Sequence, residues 1–384
     1  MRIAVMLASA GVVLILAGCS GFASLNPFSG HSVRNQPAAL VDIKPSMAVR
    51  TAWKTSIGSS DVFTFSPVVV GYNLFVASAD GALAKIEAAT GKTVWNAKVG
   101  SRLTAGVGSD GTTIAVVAEK GLVIAFDADG KQRWKAQASS EVLSAPAVGQ
   151  GLVLVRSVDN RIAAFDAESG VRRWVAQRTS PALTLRSAPG ILIYGKSAFV
   201  SLPGGRLLAL STTNGAPLWE AVVGDPRGAT ELERIADTAG TPIISGRAVC
   251  AVAYQGRVAC FDINTGAPRW AKTLSSDVGL AADVRYVFAS DDQGAVNAFT
   301  SDSGTSVWRN SLLAHRRLTA PISFGPAVVV GDFQGYVHFL SKDDGALLAR
   351  LSTDGSPMMS APVLAASNLI FQTQSGTVVA IAAE

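Results

Sequence analysis

Histidine and cysteine are scarce in this chain, three of each among 384 residues. The histidines, His31, His315 and His338, stand far apart, so no cluster is available for metal binding or general-base work. Cys250 and Cys260 lie ten residues apart with no histidine near them, which makes them poor zinc ligands. No phosphate-binding loop is present either: Leu202-Pro203-Gly204-Gly205-Arg206 reads as a turn without a P-loop lysine behind it. Charge is low as well, at 16% of residues. The net charge of +5 comes from scattered lysines and arginines, and no basic patch interleaved with aromatics marks a nucleic-acid surface. Beyond the N-terminus no segment approaches the ~18 consecutive apolar residues that cross a bilayer. These absences leave no expected metal, cofactor or catalytic residue.

Tryptophan is what the chain does have, placed almost as a ruler. Trp53, Trp95, Trp134, Trp174, Trp219, Trp270 and Trp308 are separated by 42, 39, 40, 45, 51 and 38 residues. A period of about 40 marks four-stranded propeller blades. Six of the seven end one phrase with Gly four residues earlier: TGKTVW, DGKQRW, SGVRRW, NGAPLW, TGAPRW and SGTSVW. The polar-Gly pairs read as hairpin turns between apolar β-rich runs such as VIAFDA and VACFDI. A seventh phrase, DGALLA, carries Ala349 in place of Trp, and an eighth unit, from Ser360, ends without its last strand. Trp53 has the opposite deficit, a strand with no strands before it. The two fragments complete one another. The expected fold is all-β, an eight-bladed β-propeller over residues 46–384 with four antiparallel strands per blade. An N-terminal strand joining the C-terminal blade closes the ring. A Trp repeated once per unit reads as a packing wedge between blades.

Residues 1–18 read as a signal segment: Arg2, then an apolar stretch from Ile3 to Ala17. It ends in Leu16-Ala17-Gly18-Cys19, which resembles a bacterial lipobox and implies a lipid on Cys19; the bland alternative is an ordinary secretory signal. Ser20 rather than Asp after the cysteine resembles outer-membrane sorting. Residues 19–45, rich in Ser, Gly, Asn and Pro, read as a flexible tether. In an oxidising compartment Cys250 and Cys260 form a disulfide if their hairpin turns on Gln255. They face apart if it turns between Gln255 and Gly256.

Breaks in the repeat carry the functional signal, because blade packing does not dictate them. The longest interval holds VGDPRGATELERIADTAG, with Glu231, Arg234 and Asp237 among its charges and Leu232 between them. One blade earlier, Leu183-Thr184-Leu185-Arg186 sets two leucines and an arginine at a strand entrance. A third departure is Leu312 to Leu318.

Two resemblances follow. The Gly-x-x-x-Trp repeat resembles that of PQQ-dependent quinoprotein dehydrogenases. Their adjacent cysteines, calcium-ligand set and long insertions are missing here, so the frame is shared and the site is not. The lipobox, ALTLRSAP, GATELERIADTAGTP, LLAHRRLTAPI and VVGDFQGYVHFLSKDDG together resemble the BamB family, lipoprotein subunits of the outer-membrane β-barrel assembly machinery. That resemblance implies a non-enzymatic scaffold at the periplasmic face of the outer membrane, held there only by its lipid. Its implied partners are the periplasmic region of BamA and unfolded outer-membrane proteins. It further implies that Leu183, Leu185, Arg186 and Asp237 dock BamA, with Glu231 and Arg234 in the same segment. A second Asp common in the family is Ala239 here. The alternatives are a quinoprotein-like oxidoreductase and a lipid-anchored periplasmic ligand-binding propeller.

Overall fold

A computed structural model describes residues 35–185, 187 and 189–383 of the chain. Residues 1–18, Cys19, the tether up to residue 34, and Arg186 lie outside the described residues. Eight four-stranded antiparallel sheets follow one another, and their first strands touch in succession around a common axis. The eighth sheet runs Val49–Ser56, Thr377–Ala383, Asn368–Gln372, Val363–Ala365, so the N-terminal strand supplies its outermost member. Trp53 of that strand pairs with Ala380, and the ring is closed as expected.

The Gly-x-x-x-Trp phrase has a mechanical cause. Each indole N–H donates to a carbonyl in the Gly turn of the next blade, at 2.8–3.2 Å, from Trp53 to Ala88 through Trp308 to Lys342. The glycine two or three residues beyond that carbonyl lies flat on the same indole. A Cβ on Gly91 would stand 2.6 Å from Trp53 Cδ2, and Gly130, Gly170, Gly215, Gly266, Gly304 and Gly345 meet the preceding tryptophans likewise. All seven have positive φ, which glycine adopts without strain. Phrase and period are therefore one interlock between neighbouring blades. Ala349 fits the same logic: its blade faces the eighth, where the third and fourth strands belong to opposite chain ends and no Gly turn exists to receive an indole.

In such blades, turns between second and third strands share one face with the connections from each outer strand to the next blade. That loop face carries residues 178–190, 223–237 and 311–321. Residues 37–46 are not loose tether. Ala38 N–H donates to Ala314 O and Ser46 N–H to Leu348 O. Arg316 and Arg350 donate to Ala38 O and Val41 O, each at 3.0 Å. Leu40 packs on the cluster containing Phe288 and Leu313. The strap begins on the loop face and runs down the outer edge of blade seven, so the packed chain starts at 37 rather than at the expected 46.

Behind the strap lies a buried polar network. Arg316 Nε donates to Asp332 at 2.7 Å, and His338 meets the same carboxylate oxygen at 3.0 Å. Arg350 Nε donates to His338 Nδ1, so the imidazole carries its proton on Nε2 and donates it to Asp332. Burial holds the His338 pKa below its usual value, and the ring stays neutral. Cys250 pairs with Cys260 in a register centred on Gln255, and the two are joined in a disulfide.

The interlock predicts a graded cost for added methyl groups. Gly304→Ala should destabilise by about 2–4 kcal/mol, from left-handed backbone strain plus overlap with Trp270. Gly325→Ala, also at positive φ but with nothing within 4 Å, should cost only about 1 kcal/mol. Urea unfolding compares them, and equal losses would remove the interlock as the cause.

Candidate functional site

The loop face above blades three to five brings together the two segments where the repeat breaks. Residues 178–190 connect the outer strand of blade three, Arg172–Gln177, to the inner strand of blade four, Ile191–Tyr194. Leu183 is 43% exposed there, and Leu185 is half-buried. The charged insertion follows the outer strand of blade four, Pro217–Val222. It forms a single helical turn with reciprocal capping: Glu233 N–H donates to Thr230 Oγ1, while the Glu233 carboxylate accepts from the N–H groups of Ala229 and Thr230 at 2.8 and 3.0 Å. Those bonds lower the Glu233 pKa. Arg234 donates to Gly228 O, Ala229 O and the Glu231 carboxylate, so Glu231 and Arg234 brace the turn while remaining exposed. The Gln255 amide, oriented to suit its neighbours, donates to Glu233 O at 2.7 Å and Ile235 O at 3.2 Å. The turn is thereby tied to the disulfide hairpin, and Leu232 projects from it, 70% exposed.

Asp237 sits elsewhere than an acidic contact at the rim would require. It is 3% exposed. Its two oxygens accept the N–H of Leu185 at 2.5 Å and of Gly204 at 2.9 Å. The carboxylate therefore joins the leucine loop to the turn at 203–205 and acts on the surface through Leu185. Burial raises its pKa, against the two backbone donors and the nearby Arg156. The turn it holds requires glycine: φ is +68° at Gly205, and a Cβ there would strike Gly224.

A residue that sequence reasoning missed lies beneath. Arg156 ends the second strand of blade three, Leu152–Arg156, and is 9% exposed. It lines a pocket of about 250 Å³ with Leu143, Val158, Leu185, Pro203 and Asp237. A wider funnel of about 640 Å³ opens beside it, walled by Val62, Phe63, Leu143, Leu185, Val278 and Met359 from five connections. Among the described residues no three His, Cys, Asp or Glu side chains are grouped to hold a metal ion.

Known proteins carry the same frame. The family profile described as outer membrane protein assembly factor BamB matches residues 48–103, 79–310 and 292–384. The BamB of Bordetella pertussis is 46% identical over 97% of this chain and 95% of its own. That of Burkholderia pseudomallei is 43% identical over 98% and 97%. The chain belongs to the BamB family. The crystal structure of BamB from Moraxella catarrhalis superposes with a TM-score of 0.81 at 26% identity, covering 87% of this chain and all of that one. Members of this family are named as assembly factors, and the chain is accordingly an outer-membrane protein assembly factor and not an enzyme. A quinohemoprotein alcohol dehydrogenase from Comamonas testosteroni superposes with a TM-score of 0.68 at 14% identity, which shows a common fold alone.

The buried carboxylate gives the site a pH signature. Burial sets the folded-state pKa of Asp237 above the ordinary carboxylate value. Its contribution to stability is therefore fully present below the unfolded pKa and lost as pH rises through the folded one. Asp237→Asn should remove that part of the pH dependence. Urea unfolding of both forms from about pH 4 to 7 checks it; parallel curves would show that Asp237 carries no such shift.

Proposed function

We propose that the ring is a docking subunit of the β-barrel assembly complex, binding the periplasmic region of BamA through the loop face above blades three to five. The observation that supports this most is the join made by Asp237, which holds the leucine loop in a fixed position while Leu183 and Leu232 remain exposed. Apolar anchors on a rigid, polar-rimmed surface are the composition of a protein contact. Arg186 follows Leu185 directly and supplies a cation at the same loop. Glu231 and Arg234 contribute by bracing the turn that carries Leu232.

In this reading residues 1–18 are removed and Cys19 bears the lipid. Residues 19–36 then link the lipid to the ring. Seventeen residues lie between Cys19 and Pro37, a reach of roughly 60 Å when extended. The lipid confines the ring at the periplasmic face of the outer membrane and raises its effective concentration at the partner. The ring supplies position rather than chemistry, assisting the insertion of outer-membrane proteins by holding the complex together.

Co-purification from detergent-solubilised outer membranes tests the reading. BamA should be recovered with the wild-type ring. Leu183→Asp, or charge reversal at Arg186, should lower its affinity at least about tenfold without moving the unfolding midpoint. A wild-type ring that brings down no BamA would overturn the proposal.

A further inference from the structure

Among the described residues nothing completes the hydrogen bonding of the Arg156 guanidinium. Among the described residues its one side-chain hydrogen bond runs from Nη1 to Asn160 Oδ1 at 3.2 Å. Its Nε, buried, has no partner. The nearest acid, Asp237, attracts it through space, but both Asp237 oxygens are engaged by the backbone of Leu185 and Gly204. The other walls mix apolar Leu143, Val158 and Pro203 with the neutral hydroxyl residues Thr184, Ser187 and Thr238, and none of these brings a second carboxylate. Burial draws the Arg156 pKa down to about 10, so the group stays cationic at neutral pH. A buried donor without an acceptor is costly, and more so when it belongs to a charged group.

The chemistry of the missing partner follows from the donor. A guanidinium presents its N–H groups as a planar fork, matched by the two oxygens of a carboxylate. A neutral acceptor would supply one bond and no charge. Size then separates a side chain from a free small molecule. The pocket holds about 250 Å³, below the ~300–1,000 Å³ of ordinary ligand sites, and Thr184 and Leu185 of the docking loop form part of its wall. Whatever enters does so while touching that loop.

We propose that Arg156 anchors a carboxylate pocket in the docking face, which receives an aspartate or glutamate side chain of the bound partner. This inference rests on the docking reading above and adds to it a buried charged contact between blades three and four. Leu183 and Leu232 give apolar area, and the pocket gives register, because only a carboxylate at the right place can enter it.

The test reads the Arg156 Nε–Hε resonance of the ring labelled with ¹⁵N-arginine, identified by its loss in Arg156→Lys or by its displacement in Asn160→Ala. Saturating the ring with the periplasmic region of BamA should move the resonance. Arg156→Lys, which keeps the charge but loses the fork, should weaken binding about tenfold or more with an unchanged unfolding midpoint. Acetate is titrated in parallel as a free carboxylate. A partner that binds while leaving the resonance in place overturns the pocket and spares the docking reading. A partner that does not bind at all overturns both. A resonance moved by acetate but not by the bound partner assigns the pocket to free carboxylates and overturns the proposal.

Discussion

Each indole is held twice by the next blade, by a hydrogen bond to a turn carbonyl and by the face of a glycine, and the ring depends on that contact. The two demands explain why Gly and Trp recur as one phrase. A side chain in place of the glycine would lift the turn off the indole, and a residue without the indole N–H would leave the carbonyl unpaired. Because each outer strand is locked to the following blade, neighbouring blades share cores. Trp134, for example, packs with Phe165 of the next blade, ring centroids 6.2 Å apart. The one outer strand without a tryptophan adjoins the blade where the two chain ends meet.

A frame held this way leaves its loops free to differ. The departures from the repeat gather on one face, where polar side chains hold them. Asp237 ties two connections together, and Glu233 with Arg234 shapes a single helical turn. Arg156 stands below them with a donor unmade. The strap at 37–46 uses the same device on blade seven, where two arginines reach backbone carbonyls of the incoming chain. Its first residues lie on the loop face, the side that carries the proposed docking surface.

The architecture was legible in the sequence because it repeats. The Trp period, the paired turns and the complementary deficits at Trp53 and at the eighth unit were enough for eight blades and their closure. The segments of the candidate site were marked too, since the intervals after Trp174 and Trp219 are the stretched ones. The roles within it were not. Asp237 looks like one more charge in a charged insertion, and only the approach of Leu185 and Gly204, 52 and 33 residues away, makes it a buried join. Arg156 closes a strand that reads as ordinary apolar β. The register of Cys250 and Cys260 turned on a single residue at Gln255, which alternation cannot resolve. The strap sits in a segment whose composition reads as tether, and the arginines that clamp it belong to blade seven, about 300 positions further on.

The central claim is that the ring is a rigid frame whose partner engages the loops where the repeat breaks. Hydrogen exchange of the ring, alone and with the periplasmic region of BamA, tests it most directly. The account predicts slowed exchange confined to residues 183–187, 228–237 and the turn at Asn160. The glycine turns from Gly91 to Gly345, on the opposite face, should be unchanged. Protection on those turns, with the loops unaffected, would contradict it.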